Sequence, residues 1–264
     1  MNHSLSELSQ FSIELALEAG RILKEGYGSS FSIKTKSGRH DLVTDYDYKA
    51  EEYILSAIKK KYPKHGVLSE EAGSLPSSDS EVLWIIDPLD GTVNFAHSIP
   101  MFATSIAASF KGELICGAIF NPITNELFSA QKGHGSFLNK NKITVSATDS
   151  FEHAFLATGF PYNIETNPEH CIEHLNHILS LGIPLRRIGS AAIDLAYIAA
   201  GRFDAFWEVV LHPWDFAAGA LIIEEAGGKV TQMKGEPLVL TERNTIAASN
   251  FTLHNKILTH LRLP

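Results

Sequence analysis

The run Trp84-Ile85-Ile86-Asp87-Pro88-Leu89-Asp90-Gly91-Thr92 constrains this chain more than any other stretch. Trp84, Ile85 and Ile86 read as the end of a buried strand. Pro88 and Gly91 then force the backbone to turn, holding Asp87 and Asp90 three positions apart. A strand that ends in acids puts negative charge at the edge of a core. Such carboxylates repel one another, and burial raises their pKa, unless a cation compensates them. Two aspartates on one rigid turn can share a hard cation or bridge two, as oxygen ligands do for Mg²⁺ beside a phosphate. Taken alone, the segment also reads as a polar turn with Asp as turn former.

A chain of 264 residues has room for one large core or two half-sized ones. No apolar run reaches the length that spans a bilayer, and Met1-Asn2-His3-Ser4-Leu5-Ser6-Glu7 has neither the basic start nor the apolar centre of a signal peptide. The two cysteines, Cys116 and Cys171, imply no disulfide framework, so a reduced, cytoplasmic location is the default. The net charge of −8 is spread along the chain, which argues against general nucleic-acid binding.

Ser4-x-x-Glu7 is a capping box for a first helix with Leu8, Phe11, Leu15 and Ile22 on one face, stopped by Gly26 and Gly28. Residues 28–40 read as a hairpin or loop. A second helix is expected over 47–62, with Ala50, Tyr53, Ile54, Ala57 and Ile58 inward, Lys59, Lys60 and Lys61 at its C-terminal end and Pro63 closing it. Strands follow at 83–86, 105–110, 115–120 and 127–130. Gly133-His134-Gly135 lacks the third glycine and following helix of a nucleotide loop and reads as a hairpin turn. The second half alternates: a strand over 154–157, a helix near 169–181, a helix over 190–200 closed by Gly201, and a strand over 203–208. A last helix opens at Pro213 and stops at Gly227-Gly228. This uneven mixture indicates an α+β or layered architecture, with a soft boundary near 146–152.

Several polar residues carry two readings. Glu70 and Glu71 follow the apolar Val67-Leu68 and are candidates for surface charge or for ligands. Asp215 falls in the first turn of a helix, where a carboxylate also serves as a cap. Thr44-x-x-Asp47 is a capping-box start for the second helix, compatible with a further catalytic role. His170, His174 and His177 share one helical face beside Cys171, without a zinc-protease pattern, and read as a surface face. His212 adjoins Asp215 and is a candidate pocket lining.

The run at 84–95 resembles the signature of the inositol monophosphatase family, W-[IV]-[IV]-D-P-[IL]-D-G-T-x-N-F. The family's second signature is matched by Trp214-Asp215-Phe216-Ala217-Ala218-Gly219 followed by Glu225-Ala226-Gly227-Gly228. Upstream, Asp41-Leu42-Val43-Thr44-Asp45-Tyr46-Asp47 and Leu68-Ser69-Glu70-Glu71 match in order. The similarity runs from about residue 10 to about residue 250. One departure is Val93, where the family has a small hydroxylated residue; its expected effect is to tune the loop and not to abolish metal binding.

The resemblance implies a layered αβαβα sandwich of the inositol monophosphatase and fructose-1,6-bisphosphatase type, with 1–264 as one domain of two halves, about 1–148 and 149–264. It implies a Mg²⁺-dependent phosphomonoesterase acting on inositol monophosphate or a similar small polyol phosphate. Its metals would be held by Glu70, Asp87 and the Leu89 carbonyl, by Asp87, Asp90 and Asp215, and, more weakly, by Glu70 with waters. Thr92 and Glu70 would orient the attacking water, with Asp47 supporting Thr92. Phosphate would meet the amides of Gly91 and Thr92, and Asp90, Asp215, Ser190, Ala191 and Glu208 would contact substrate. Arg186 and Arg187 belong to the segment leading into Ser190 and are candidates for the rim or a subunit contact. Lithium inhibition and a homodimer are further implications. The resemblance leaves open related phosphatases of fructose 1,6-bisphosphate, 3′-phosphoadenosine nucleotides or histidinol phosphate. It also leaves open an accessory role with RNA polymerase, which no residue here supports.

Overall fold

The structure, a computed structural model, describes residues 4–35, 42–75 and 80–262. Helix α1 (Leu5–Gly26) opens on the expected box: the Ser4 hydroxyl accepts from the Glu7 amide, and the Glu7 carboxylate accepts from the Ser4 amide. Its buried stripe takes in Ala16, Ala19 and Leu23, leaving Ile22 at the edge. Gly20 explains the displacement. A Cβ there would fall 2.4 Å from the Phe120 ring, so the helix meets the sheet closest on that side.

Strands β1 (Ile33–Thr35) and β2 (Leu42–Thr44) pair antiparallel around residues 36–41, so Asp41 lies outside the described residues. Helix α2 (Asp45–Lys61) buries Ala50, Ile54 and Ile58, but Tyr53 is exposed and Ala57 only half-buried. Asp47 and Glu51 are turned inward instead, onto polar partners at the ends of neighbouring strands.

The chain then builds a mixed sheet from β3 (Gly66–Ser69), β4 (Gly73–Leu75), β5 (Val82–Asp90), β6 (Ala103–Phe110), β7 (Glu113–Asn121), β8 (Glu126–Gln131), β9 (Gly135–Leu138) and β10 (Asn141–Ile143). Its order is β10-β9-β8-β7-β6-β5-β3-β4, antiparallel except for β3 beside β5. The short helix α3 (Thr92–Ala96) follows β5 directly. A second sheet uses β11 (Leu156–Thr158), β12 (Leu185–Arg186), β13 (Ala205–Leu211), β14 (Gly228–Thr231) and β15 (Asn244–Asn250), in the order β12-β11-β13-β15-β14. Helices α4 (Cys171–Ser180), α5 (Ala191–Ala199), α6 (Pro213–Glu225) and α7 (Phe251–Leu261) complete the chain. Strand β13 runs past the expected end at Glu208 to Leu211, and β11 starts two residues later than expected.

Three apolar clusters define the layers. Leu15, Leu23, Ile54 and Ile58 from α1 and α2 pack with Trp84, Ile86 and Ile106 on one face of the first sheet. On its other face, Ile85 and Ile119 join Leu195 and Ile198 of α5, Phe216 and Ile222 of α6, and Phe206 and Ile246 of the second sheet. Beyond that sheet, Trp207 and Ala247 pack with Ile178 of α4 and Ile257 of α7. The result is an α+β sandwich layered α-β-α-β-α. Small residues set its spacing: a Cβ on Gly117 would lie 3.1 Å from the Ala218 backbone, where α6 crosses β7. Among the described residues no helix is long and apolar enough to cross a membrane.

Candidate active site

Strand β5 loses register with β6 between Asp87 and Asp90, because Pro88 has no N–H to donate to the ladder. Within the break the Leu89 amide donates to Asp87 Oδ1 at 3.0 Å. Gly91 then takes φ 88°, a left-handed turn that starts α3; a Cβ there would lie 2.9 Å from the Met101 carbonyl oxygen. Asp87, Leu89, Asp90, Gly91 and Thr92 thereby line one side of a cavity of about 570 Å³. Glu70, Ser190, Ala191, Glu208 and Asp215 line it as well. Asp47 stands behind Thr92 instead of lining the cavity.

Each side chain is held by its local structure. The turn carrying Glu70 is fixed by Glu51, whose carboxylate accepts from the Ser69 hydroxyl and from the amides of Glu71 and Ala72 at 3.1 and 3.0 Å. Asp47 accepts from the Thr44 amide and hydroxyl at 2.8 and 2.6 Å through Oδ2. Its Oδ1 lies 3.2 Å from the Thr92 hydroxyl, which is also 3.0 Å from the Leu89 carbonyl oxygen. Capping and contact with Thr92 therefore coexist on one carboxylate. Asp90 reaches into the start of α5, accepting from the Ser190 hydroxyl and, at 2.8 Å, from the Ala192 amide. Asp215 accepts from the His212 amide at 2.7 Å at the start of α6. Asn94 ties α3 to the loop before α5, donating to the Met101 and Ile188 carbonyls at 2.7 and 3.0 Å.

The electrostatics are those of crowded, buried acids. Burial first, then repulsion from Glu70, Asp90 and Asp215, holds the Asp87 carboxyl well above the usual range. Burial pushes Asp90 up to about 6 against the stabilising hydrogen bond from Ser190. Asp215 is raised by burial and by Asp90 and Glu70, and Glu208 goes to about 8 through burial and Asp90. Among the described residues no group of three or more His, Cys, Asp or Glu is already gathered to hold a metal ion. The donor set nonetheless fits one: it is all oxygen, and its excess negative charge is what a hard divalent cation neutralises.

The histidine face is corrected. His170 precedes α4 in a left-handed conformation, His174 is buried, and His177 turns to His260 of α7, its Nε2 3.3 Å from that ring's Nδ1. The helix packs that side onto α7, so His174 and His177 belong to an interface between helices, whereas His170 is exposed as expected. His212 lines the cavity and stacks on Trp214, ring centroids 4.4 Å apart. Two residues escaped the sequence reading: Glu51, an acid on the inward stripe of α2, and Asp194, an acid in the first turn of α5. Helical spacing from Ala50 and Ile54 was the available signal for Glu51; Asp194 had none, since a first-turn acid is ordinary.

A family-wide comparison matches residues 4–263 to the inositol monophosphatase family. An inositol-1-monophosphatase of Caulobacter vibrioides is 42% identical over 253 residues, 95% of this chain and 99% of that one. Nus factor SuhB of Escherichia coli K12 is 39% identical over 238 residues, 90% of this chain and 89% of that one. The crystal structure of the extragenic suppressor protein suhB from Bartonella henselae superposes with a TM-score of 0.88 at 40% identity, covering 95% of this chain and 96% of that one. By sequence and by fold together, the chain is of the phosphatase class. The chain belongs to the inositol monophosphatase family.

Proposed function

We propose that this protein is a Mg²⁺-dependent phosphomonoesterase that hydrolyses inositol monophosphate or a similar small polyol phosphate with water. The observation that carries the reading is the convergence of Glu70, Asp87, Asp90 and Asp215 on the cavity that Thr92 also lines. Glu70, Asp87, the Leu89 carbonyl, Asp90 and Asp215 would hold the metal. Bound there, divalent cations neutralise phosphate charge and make water more acidic.

The remaining work falls to the chain's own groups. The amides of Gly91 and Thr92, at the start of α3, meet the phosphate oxygens. The Thr92 hydroxyl donates its hydrogen bond to Asp47 Oδ1 or to the Leu89 carbonyl oxygen, which turns its own oxygen to accept a hydrogen bond from the attacking water. Glu70 orients that water for in-line attack. Ser190 and Ala191 shape the wall against which the polyol lies, and Glu208 accepts from its hydroxyls.

Phosphate release from a panel of inositol, sugar, nucleotide and aryl phosphates, with Mg²⁺ and with excess chelator, tests this. Turnover of inositol phosphate that chelator abolishes and Mg²⁺ restores is expected; full activity in chelator overturns it. The similarity to Nus factor SuhB supports a second, compatible reading as an accessory of transcription. Copurification of a tagged copy with RNA polymerase from its own cells tests that role, and sedimentation tests the expected homodimer.

A further inference from the structure

Asp194 is the acid in this cavity that nothing above employs. It is only 1% exposed, it lines the cavity with Glu208, and its Oδ1 has no hydrogen-bond partner. Helix α5 does not need it as a cap. The Ser190 hydroxyl already accepts from the Ile193 amide at 3.3 Å, and Asp90 takes the Ala192 amide. A buried carboxylate oxygen left without a partner is costly, and such atoms are rare unless a ligand or water completes them.

Its surroundings say what the ligand offers. The Glu208 carboxylate lies against Gly159, where a Cβ would fall 2.0 Å from Oε2, so a glycine is what leaves room for it. Asp194 and Glu208 repel each other and Asp90, and Arg187 is the cation that both feel. Two acid acceptors at one cavity, away from the Gly91 and Thr92 amides in sequence and in structural element, favour a group rich in hydroxyl donors.

We infer that Asp194 is a second specificity-determining acceptor, paired with Glu208, for the hydroxyls of the leaving group. This rests on the phosphatase reading above. It adds a residue to that reading.

The test uses full-length protein saturated with Mg²⁺, inositol 1-phosphate, its single-deoxy analogues and an aryl phosphate. In the unaltered protein, removal of hydroxyls at two separate positions should each lower kcat/KM about 10-fold, the scale of one lost charge-assisted hydrogen bond. In Asp194→Ala one of those positions loses its penalty, and in Glu208→Ala the other does. Equal loss on every substrate, or deoxy penalties that Asp194→Ala leaves unchanged, overturns the inference. A single sensitive hydroxyl in the unaltered protein does so without any variant. If the unaltered protein cleaves none of these substrates, including the aryl phosphate, it is the phosphatase reading that fails.

Discussion

Two strands lose register where they deliver acids to the cavity, and they are built from different residues. On β5 the break lies between Asp87 and Asp90 and uses Pro88, with Gly91 directly after it at φ 88°. On β13 it lies between Glu208 and Leu211 and uses Val209 and Val210, with Val210 at φ 61°. Proline interrupts a ladder because it lacks a donor, and glycine takes positive φ freely. A β-branched residue at positive φ is a conformational outlier that stores strain. One acid-bearing kink therefore suits its own local sequence, whereas the other is imposed by the packing around it.

The largest effect should come from the β5 side. Thr92→Ala is expected to lower kcat by about 10²–10³, as loss of a positioned catalytic group does, with phosphate affinity much less changed. Steady-state kinetics beside product-inhibition constants would show it; a near-normal kcat would reduce Thr92 to a turn residue and erase the functional half of the contrast.

Acid should distinguish the sheets next. His254 is buried between Thr231, 2.9 Å from its Nε2, and Ser249, 3.2 Å from its Nδ1. Burial, with Lys229 nearby, pushes its pKa down to about 4 from 6.5. The unfolded chain thus binds the proton first, and stability falls as pH drops from about 6.5 to 4, by up to roughly 3 kcal/mol. The raised carboxylates of the cavity act in the opposite sense, gaining stability as pH falls through their folded values. Urea titrations of the metal-free protein and of His254→Asn should therefore diverge across this range, the variant lacking the histidine's share of the loss towards acid. An unchanged slope in the variant would assign it elsewhere.

Backbone substitutions at the two breaks should have opposite signs. Gly91→Ala is expected to cost about 2 kcal/mol, from a left-handed alanine and from the Met101 carbonyl 2.9 Å from the new Cβ. Val210→Gly is expected to stabilise by up to about 1 kcal/mol, the relieved strain exceeding the added freedom of the unfolded chain. Denaturant midpoints measure both. A Val210→Gly protein destabilised by more than that amount would show that the valine's packing outweighs its strain.

The same contrast explains what could be read in advance. The β5 kink was legible because Pro88 and Gly91 announce it and the two aspartates stand inside it. On β13, Val209 and Val210 read as ordinary strand, so nothing marked a bend, and the strand was expected to stop at Glu208. The capping boxes at Ser4 and Thr44 are local and were readable as such. β14, β15 and α7 went unplaced. In Asn244-Thr245-Ile246-Ala247-Ala248-Ser249-Asn250 the buried residues are mostly small, and the pairing that makes it a strand comes from distant β13 and β14. Glu51 and Asp194 were missed because their burial depends on which neighbours arrive, a property of the tertiary structure and not of local pattern.

Asp90 limits how this sequence can drift. One carboxylate faces the cavity and also closes the start of α5 through Ser190 and Ala192. Any replacement is judged twice, once for its charge in the cavity and once for its reach and accepting atom at residues a hundred positions away in the chain. Asparagine keeps the acceptor but loses the charge; glutamate keeps the charge but is a methylene too long. Neither segment can wander without the other, so the 84–95 and 186–192 stretches should vary together among descendants of this chain, as a lock and the key cut for it.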